Sequence, residues 1–472
     1  VKDELKDAKD RLARSINKVM GIVNCTGEAG RRVGRGENSD PRLIFKLCPF
    51  QGNMELKITE FKAFTAQANF EWTFVRVYAG DLYGTGEAGP APGLAEAAKE
   101  FKGLLVGEDA FKVNRIEQKL RYADLYSGTS MYHLISAINI AIYDLLGKYL
   151  NLPIYRILGG DREEIPFYVD AHGGKGLEAM NAAHLPVSLP WMKGTEMESG
   201  RLITVNNPIH GRLSMEKWNE DYSPEAYARR AKKLKDEGFR AMKFDLDVPT
   251  PYIDVRRIRS GDLSLKDIDY MASIVRAVRE VVGDEVEVMV DLHWRYNVNT
   301  AIRVCKALEP YRLRWIEDPT PAVMAVSNVD ELKLITSQCS TPIETGENLY
   351  TVYQFKDLIG TGVRVWAPDI VKAGGISEGR RISELASMYD VEYSPHNIAS
   401  PIGTMAHAHA ASVANTLGFI EFHGHDVPFW GEIVKPKRRI FEGGYIKLTD
   451  EPGLGVDIDD AVARKYWENW DL

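Results

Sequence analysis

Asp291, Glu317 and Glu347 end three successive strand-like runs, Val288–Asp291, Arg314–Glu317 and Ile343–Glu347. The intervals, about 26 and then about 30 residues, match one strand–helix unit of a parallel barrel. Acids at the carboxyl ends of neighbouring barrel strands converge on one point. Carboxylates crowd together there only when a cation holds them. An all-oxygen set with no Cys and no obligatory His suits a hard ion, Mg2+.

Neighbouring residues extend this chemistry. The second barrel strand ends Lys243-Phe244-Asp245 and the third ends Asp291-Leu292-His293. Residues i and i+2 of a strand share a face, so each pair is expected to point into the barrel mouth. Inward charges are costly unless they bind an ion or do chemistry. The plainer alternative is a structural layer of ion pairs. Recurrence at the same end of two adjacent strands favours a site. The sixth strand ends at Asp369 and the seventh at His396. A carboxylate beside an imidazole fixes its tautomer and raises its basicity, which makes His396 a general base near neutral pH. Glu421, on the eighth strand, is suited to donate or accept toward a substrate carboxylate. His423 and His425 read as loop residues. His407 and His409 read as core or surface positions, because His-x-His on a helix splays around its axis.

One cation, Lys243 and the His396–Asp369 dyad suit removal of a proton next to a carboxylate. The enediolate left behind carries negative charge on two oxygens, for which a divalent ion and Lys243 are natural counter-charges. His396 takes the proton, and His293 protonates a leaving hydroxyl on the next carbon. The sum is a β-elimination of water.

These residues need strands and helices in alternation. After Pro166 the chain reads as strands Phe167–Ala171, Ala241–Asp247, Val286–Leu292, Leu313–Asp318, Pro342–Glu347, Val363–Ile370, Val391–His396 and Gly418–Phe422. Helices are expected between most of them, over Pro224–Glu237, Leu265–Val282, Thr300–Leu308, Val329–Ser337, Tyr350–Leu358, Gly375–Tyr389 and Thr404–Leu417. Eight strands in this rhythm predict a (β/α)8-type α/β barrel over residues 166–430. Its first connection carries a long insertion, residues 173–222, of the kind that shapes a substrate pocket. Ahead of the barrel, strands Leu56–Phe64, Thr73–Tyr78 and Tyr83–Ala88, followed by helices from about Ala95 to Leu150, predict an antiparallel α+β domain over residues 54–165. The tail, residues 431–472, has a strand-like Tyr445–Leu448 and a short helix near Asp459–Trp470, and is expected to leave the barrel. Residues 1–53 carry eleven Lys/Arg against seven Asp/Glu and lack clear alternation, with a helix expected over 3–19 and irregular chain over 25–41. They read as a non-catalytic extension. Gly84-Thr85-Gly86-Glu87-Ala88-Gly89 matches the dinucleotide-binding glycine pattern. Pro90 and Pro92 follow where a helix should begin, so a strand entering a tight turn is the better reading.

The 472 residues suffice for a large barrel and a second domain. With 44% hydrophobic and 27% charged residues, the composition is that of a globular protein. With a net charge of −8 and a pI near 5.8, nothing suggests a nucleic-acid face. The short basic cluster Lys435–Arg439, interrupted by Pro436, reads as a solvated loop. Cys25, Cys48, Cys305 and Cys339 lack metal-ligand spacing and read as reduced thiols in a cytoplasmic protein. No apolar run reaches the length of a membrane span, and the start shows no signal-peptide region.

Jointly, these residues resemble the enolase superfamily, mandelate racemase subgroup, over about residues 54–472. The resemblance is carried by Ser136-Ala137-Ile138 through Asp144-Leu145-Leu146-Gly147-Lys148, Lys243-x-Asp245, Trp315-Ile316-Glu317-Asp318-Pro319, Thr345-Gly346-Glu347-Asn348, Pro368-Asp369 and Pro452-Gly453-Leu454-Gly455. It implies a (β/α)7β barrel and an α+β capping domain built from both chain ends. The capping loops, here Gln67–Trp72 and roughly Gly89–Gly93, would select the substrate. It also implies an enediolate held by Mg2+. Asp-x-His on the third strand and the Asp369–His396 dyad resemble the gluconate, galactonate and arabinonate dehydratases. Racemases of the subgroup carry Lys-x-Lys on the second strand, and Asp245 replaces the second Lys here. The resemblance therefore implies Mg2+-dependent dehydration of an acid sugar to a 2-keto-3-deoxy acid. His396, Asp369, His293, Lys243, Asp245 and Glu421 would be catalytic, and Asp291, Glu317 and Glu347 would hold the metal. A homo-oligomer, tetramer or octamer, is the expected assembly. An epimerase, racemase or cycloisomerase using the same enediolate is the alternative, and a non-catalytic family member is a third reading.

Overall fold

The computed structural model describes residues 55–123, 128–173, 187–194, 222–248, 250–258, 260–321 and 329–472. The chain divides into two compact units, Val1–Glu55 and Leu56–Leu472, and the account below concerns the second. The expectations for residues 1–53, and most of those for the insertion 173–222, lie outside the described residues. No helix among the described residues is long and apolar enough to cross a membrane.

Strands β1 (Glu60–Gln67), β2 (Glu71–Ala79) and β3 (Leu82–Ala88) form an antiparallel sheet. The 21-residue helix Ser130–Leu150 lies across β3. Gly84 and Gly86 share one strand face, and Ala137 and Ala141 share one helix face. A Cβ on Gly84 would stand 2.0 Å from the Ala141 carbonyl oxygen, and one on Gly86 would stand 2.0 Å from that of Ala137. The glycine pattern therefore serves strand-on-helix packing, as a strand and not as a phosphate loop. Asp144 of this helix is buried and accepts from the backbone N–H groups of Thr85 and Leu454, each at 2.8 Å. One carboxylate thus ties the hairpin sheet to the Pro452–Gly455 turn. Arg76 of β2 donates to the Leu472 carbonyl at 3.0 Å and to Asp460 at 2.9 Å, which fastens the chain's tail to the same sheet.

The parallel sheet runs β4 (Glu164–His172), β5 (Ala241–Asp245), β6 (Glu287–Asp291), β7 (Ile316–Glu317), β8 (Ile343–Thr345), β9 (Val365–Trp366) and β10 (Glu392–Tyr393), with β11 (Ile420–Phe422) on the other side of β4. Between β10 and β11 the pairing reduces to an isolated Tyr393–Leu417 bridge and a few backbone bonds, including Glu421 N–H to the Pro395 carbonyl at 3.1 Å. No continuous ladder among the described residues closes the barrel. Outer helices start where side chains satisfy their free N–H groups. Ser223, Ser264, Asn297 and Ser400 cap the helices Pro224–Asp236, Leu265–Val282, Val298–Leu308 and Pro401–Ala411. Inside the barrel, Tyr168, Ala241, Met289, Trp315 and Val365 form an apolar floor.

Several strands are shorter than alternation predicts, for one backbone reason. His293, Trp294 and Asp318 take positive φ of 42°, 56° and 39°, and Gly346 takes 137°. A left-handed residue bends the chain away from extended ladder geometry, although the Trp294 N–H still reaches the Asp318 carbonyl at 2.7 Å and the Asp318 N–H the Glu344 carbonyl at 3.0 Å. Thus β6, β7 and β8 stop at Asp291, Glu317 and Thr345, and not at Leu292, Asp318 and Glu347. The i,i+2 argument holds for Lys243 and Asp245 but not for His293, which lies past its strand. Glu347 likewise lies two residues beyond β8 and does not end it.

Candidate active site at the strand ends

Strand register builds an acidic row. Asp245 pairs with Asp291, Asp291 with Glu317, and Glu317 with Glu344. Gly346 then turns the chain so that Glu347, not Glu344, completes a cluster. One oxygen each from Asp291, Glu317 and Glu347 lies within 4.8 Å of the others. All three side chains are buried, and Glu317 Oε1 has no hydrogen-bond partner among the described residues. Burial, then the adjacent Asp291, pushes the Glu317 pKa well above the usual carboxylate range. Three buried carboxylates with an orphaned oxygen fit a divalent ion with oxygen ligands.

Lys243 enters from below. Its Nζ lies 2.7 Å from Glu317 Oε2, 2.9 Å from Glu421 Oε1 and 3.4 Å from Asp291 Oδ2. Burial opposes its charge, but Glu317 and Glu421 outweigh that and hold its pKa well above the ordinary lysine value. Glu421 is fully buried, its Oε1 faces Lys243 and its Oε2 accepts from the Asn397 N–H at 3.0 Å. Asp245 has a separate setting. Its Oδ2 lies 4.0 Å from His172 Nδ1, and burial, then the nearby Asp170, raises its pKa well above normal.

The two sequence-derived histidines border different acids of the cluster. His396 Nδ1 lies 2.8 Å from Asp369 Oδ2 and its Nε2 lies 3.1 Å from Glu347 Oε2. Burial works against a charged His396, and Glu347 overrides it, so its pKa is raised. Burial would raise the Asp369 pKa, but Lys372, 3.4 Å away, and His396 hold it well below the usual range. His293 Nε2 lies 3.5 Å from Asp291 Oδ2 and its Nδ1 lies 3.0 Å from Asp247 Oδ1. Burial opposes protonation of His293, but Asp291 and Asp247 prevail and raise its pKa well above the free imidazole value. Two histidines thus stand beside one carboxylate cluster.

Sequence reading missed the partners that fix these groups. Asp247, held by Arg295 at 2.9 Å, orients His293, and Lys372 and His407 flank Asp369. Only three-dimensional proximity reveals them. His407 and His409 are core residues: His407 Nε2 accepts from the Ile370 N–H at 3.1 Å, and His409 Nδ1 from the Tyr155 N–H at 3.1 Å. His425 is a loop residue paired with Glu237 at 2.7 Å. His423 is in a loop too, but it is buried beside Asp170 and His172. The Asp170-Ala171-His172 spacing repeats that of Asp291-Leu292-His293 and was the available signal.

Comparison with known proteins places this geometry. Residues 226–462 match the family model described as enolase C-terminal domain-like. Residues 53–159 match the N-terminal domain of mandelate racemase / muconate lactonizing enzyme. The D-xylonate dehydratase of Haloferax volcanii is 33% identical over 423 residues, covering 88% of this chain and 90% of the relative. The D-galactonate dehydratase family member RspA of Cellvibrio japonicus is 27% identical over 77% of this chain and 82% of its own length. A mandelate racemase/muconate lactonizing enzyme-like protein from Rubrobacter xylanophilus superposes with a TM-score of 0.75 at 32% identity, covering 87% of this chain and 98% of that structure. The chain belongs to the enolase superfamily, in its mandelate racemase/muconate lactonizing branch.

Proposed function

We propose that this enzyme is a hydro-lyase that dehydrates an acid sugar to a 2-keto-3-deoxy acid, with Mg2+ at Asp291, Glu317 and Glu347. The observation that carries the reading is the placement of His396 beside Glu347 and His293 beside Asp291, 3.1 Å and 3.5 Å from the two carboxylates. A bound divalent ion would supply positive charge to the oxygens of the enediolate. Asp369 holds His396 in the tautomer that leaves Nε2 able to take the proton next to the substrate carboxylate. Lys243 places a second positive charge at the same floor. His293, whose Nδ1 faces Asp247, donates to the departing hydroxyl. The names of the D-xylonate and D-galactonate relatives support an aldonate substrate.

The test is a screen of four-, five- and six-carbon acid sugars with Mg2+, scored for keto acid with semicarbazide. Keto acid from at least one aldonate is expected. Solvent deuterium entering recovered substrate, with no keto acid from any of them, would instead identify an epimerase.

A further inference from the structure

Asp170, His172 and His423 form a second buried cluster, with one ligand-type atom from each within 4.8 Å of the others. Asp170 and His172 end β4, and His423 follows β11, the strand paired with β4. The imidazoles of His172 and His423 pack with centroids 4.4 Å apart. The two rings turn different nitrogens toward Asp170. His172 Nδ1 lies 3.2 Å from Asp170 Oδ1, and His423 Nδ1 lies 3.2 Å from the amide nitrogen of Asn69, in the loop between β1 and β2.

His172, only 6% exposed, has a buried Nε2 with no hydrogen-bond partner among the described residues. His423 Nε2 lies 3.7 Å from Asp170 Oδ2, beyond hydrogen-bond length. Asn69 Oδ1 is also buried without a partner, and exchanging the oxygen and nitrogen of its amide would let it accept from His423 Nδ1–H. His423 would then donate from Nδ1 and keep a free lone pair on Nε2, the outer-sphere pattern of a metal-bound histidine, while His172 faces Asp170 through Nδ1. Burial drives both rings toward the neutral form, His172 to about 3 and His423 well below the usual value. With His172 neutral and its proton on Nε2, the atoms that meet here, His172 Nδ1, His423 Nε2 and an Asp170 oxygen, are all acceptors. Converging acceptors call for a positive centre, whereas a sugar hydroxyl would need only one or two of them.

We propose that Asp170, His172 and His423 form a second divalent-cation site, distinct from the three-carboxylate cluster and selective for a late first-row ion of the Zn2+ class. Two imidazoles and one carboxylate bind such ions in preference to Mg2+, while the all-carboxylate cluster keeps the hard ion. Three protein ligands leave a coordination position open.

The test uses the full chain, stripped with chelator, saturated with Mg2+ and titrated with Co2+ by calorimetry and visible absorption. One equivalent of Co2+ is expected to bind with the strong absorption of a low-coordinate, nitrogen-bearing site, and to be displaced by Zn2+ but not by further Mg2+. His172→Ala and His423→Ala should each weaken it at least tenfold, whereas Glu347→Gln should leave it in place. Near-ultraviolet circular dichroism checks that each variant is folded, and the wild-type spectrum alone tests for nitrogen ligands. Absence of Co2+ binding to the Mg2+-saturated wild type would overturn the proposal. So would binding that folded His172→Ala retains in full, or a higher KM for an acid sugar in that variant with no ion bound to the wild type.

Discussion

The Nδ1 of His396 lies 2.8 Å from Oδ2 of Asp369, and this bond decides which nitrogen of the ring faces the carboxylate cluster. Asp369 is fully buried and also lies beside Lys372, so it stays ionised and keeps its proton acceptor role toward Nδ1–H.

Asp369→Asn keeps the shape and removes the charge that selects the tautomer. Exchange of the substrate α-proton with solvent deuterium should slow by about 10²- to 10⁴-fold, with KM nearly unchanged. A loss confined to KM would show that Asp369 does not act through His396.

His293 stands on the other side of the cluster, against Asp247 and Asp291. His293→Asn should spare α-proton exchange, the step proposed for His396, while slowing keto-acid formation by about 10²-fold or more. Full dehydration by this variant would remove His293 from the acid role.

Gly86 leaves room for the carbonyl of Ala137, which an added Cβ would approach to 2.0 Å. Backbone cannot yield as a side-chain tip can. Gly86→Ala should therefore lower the unfolding free energy by about 1–3 kcal/mol or more, read from urea denaturation. An unchanged midpoint would mean that helix Ser130–Leu150 shifts freely on β3.

His409 is buried and its pKa is lowered to about 4, by desolvation first. Its Nδ1 must stay unprotonated to accept from Tyr155. Between about pH 6.5 and about pH 4 the unfolded chain takes up a proton that the folded chain does not. This contribution is complete above about pH 6.5 and is lost as pH falls, by up to about 3 kcal/mol. The stability gap between wild type and His409→Gln should narrow over that window in urea titrations. A gap independent of pH would refute the assignment.

Residue type and spacing determined much of this protein. The helix Leu265–Val282 has the residues predicted for it, because Ser264 and Gly283 mark its ends and its apolar positions repeat at helical spacing. The three acids, Lys243, His293, Asp369 and His396 were legible because acidic and basic residues recur where strands should end. Folding decided what local pattern does not encode. Left-handed residues at His293, Asp318 and Gly346 cut the strands short and chose Glu347 over the in-register Glu344. Long-range closure brought Asp247 under His293, and Asn69, Asp170, His172 and His423 together, although Asn69 and His423 lie 354 residues apart. Hydrophobic period and capping are local, so a chain displays them in order. Burial and the pairing of charges depend on which distant strands become neighbours, and only the folded barrel mouth sets that.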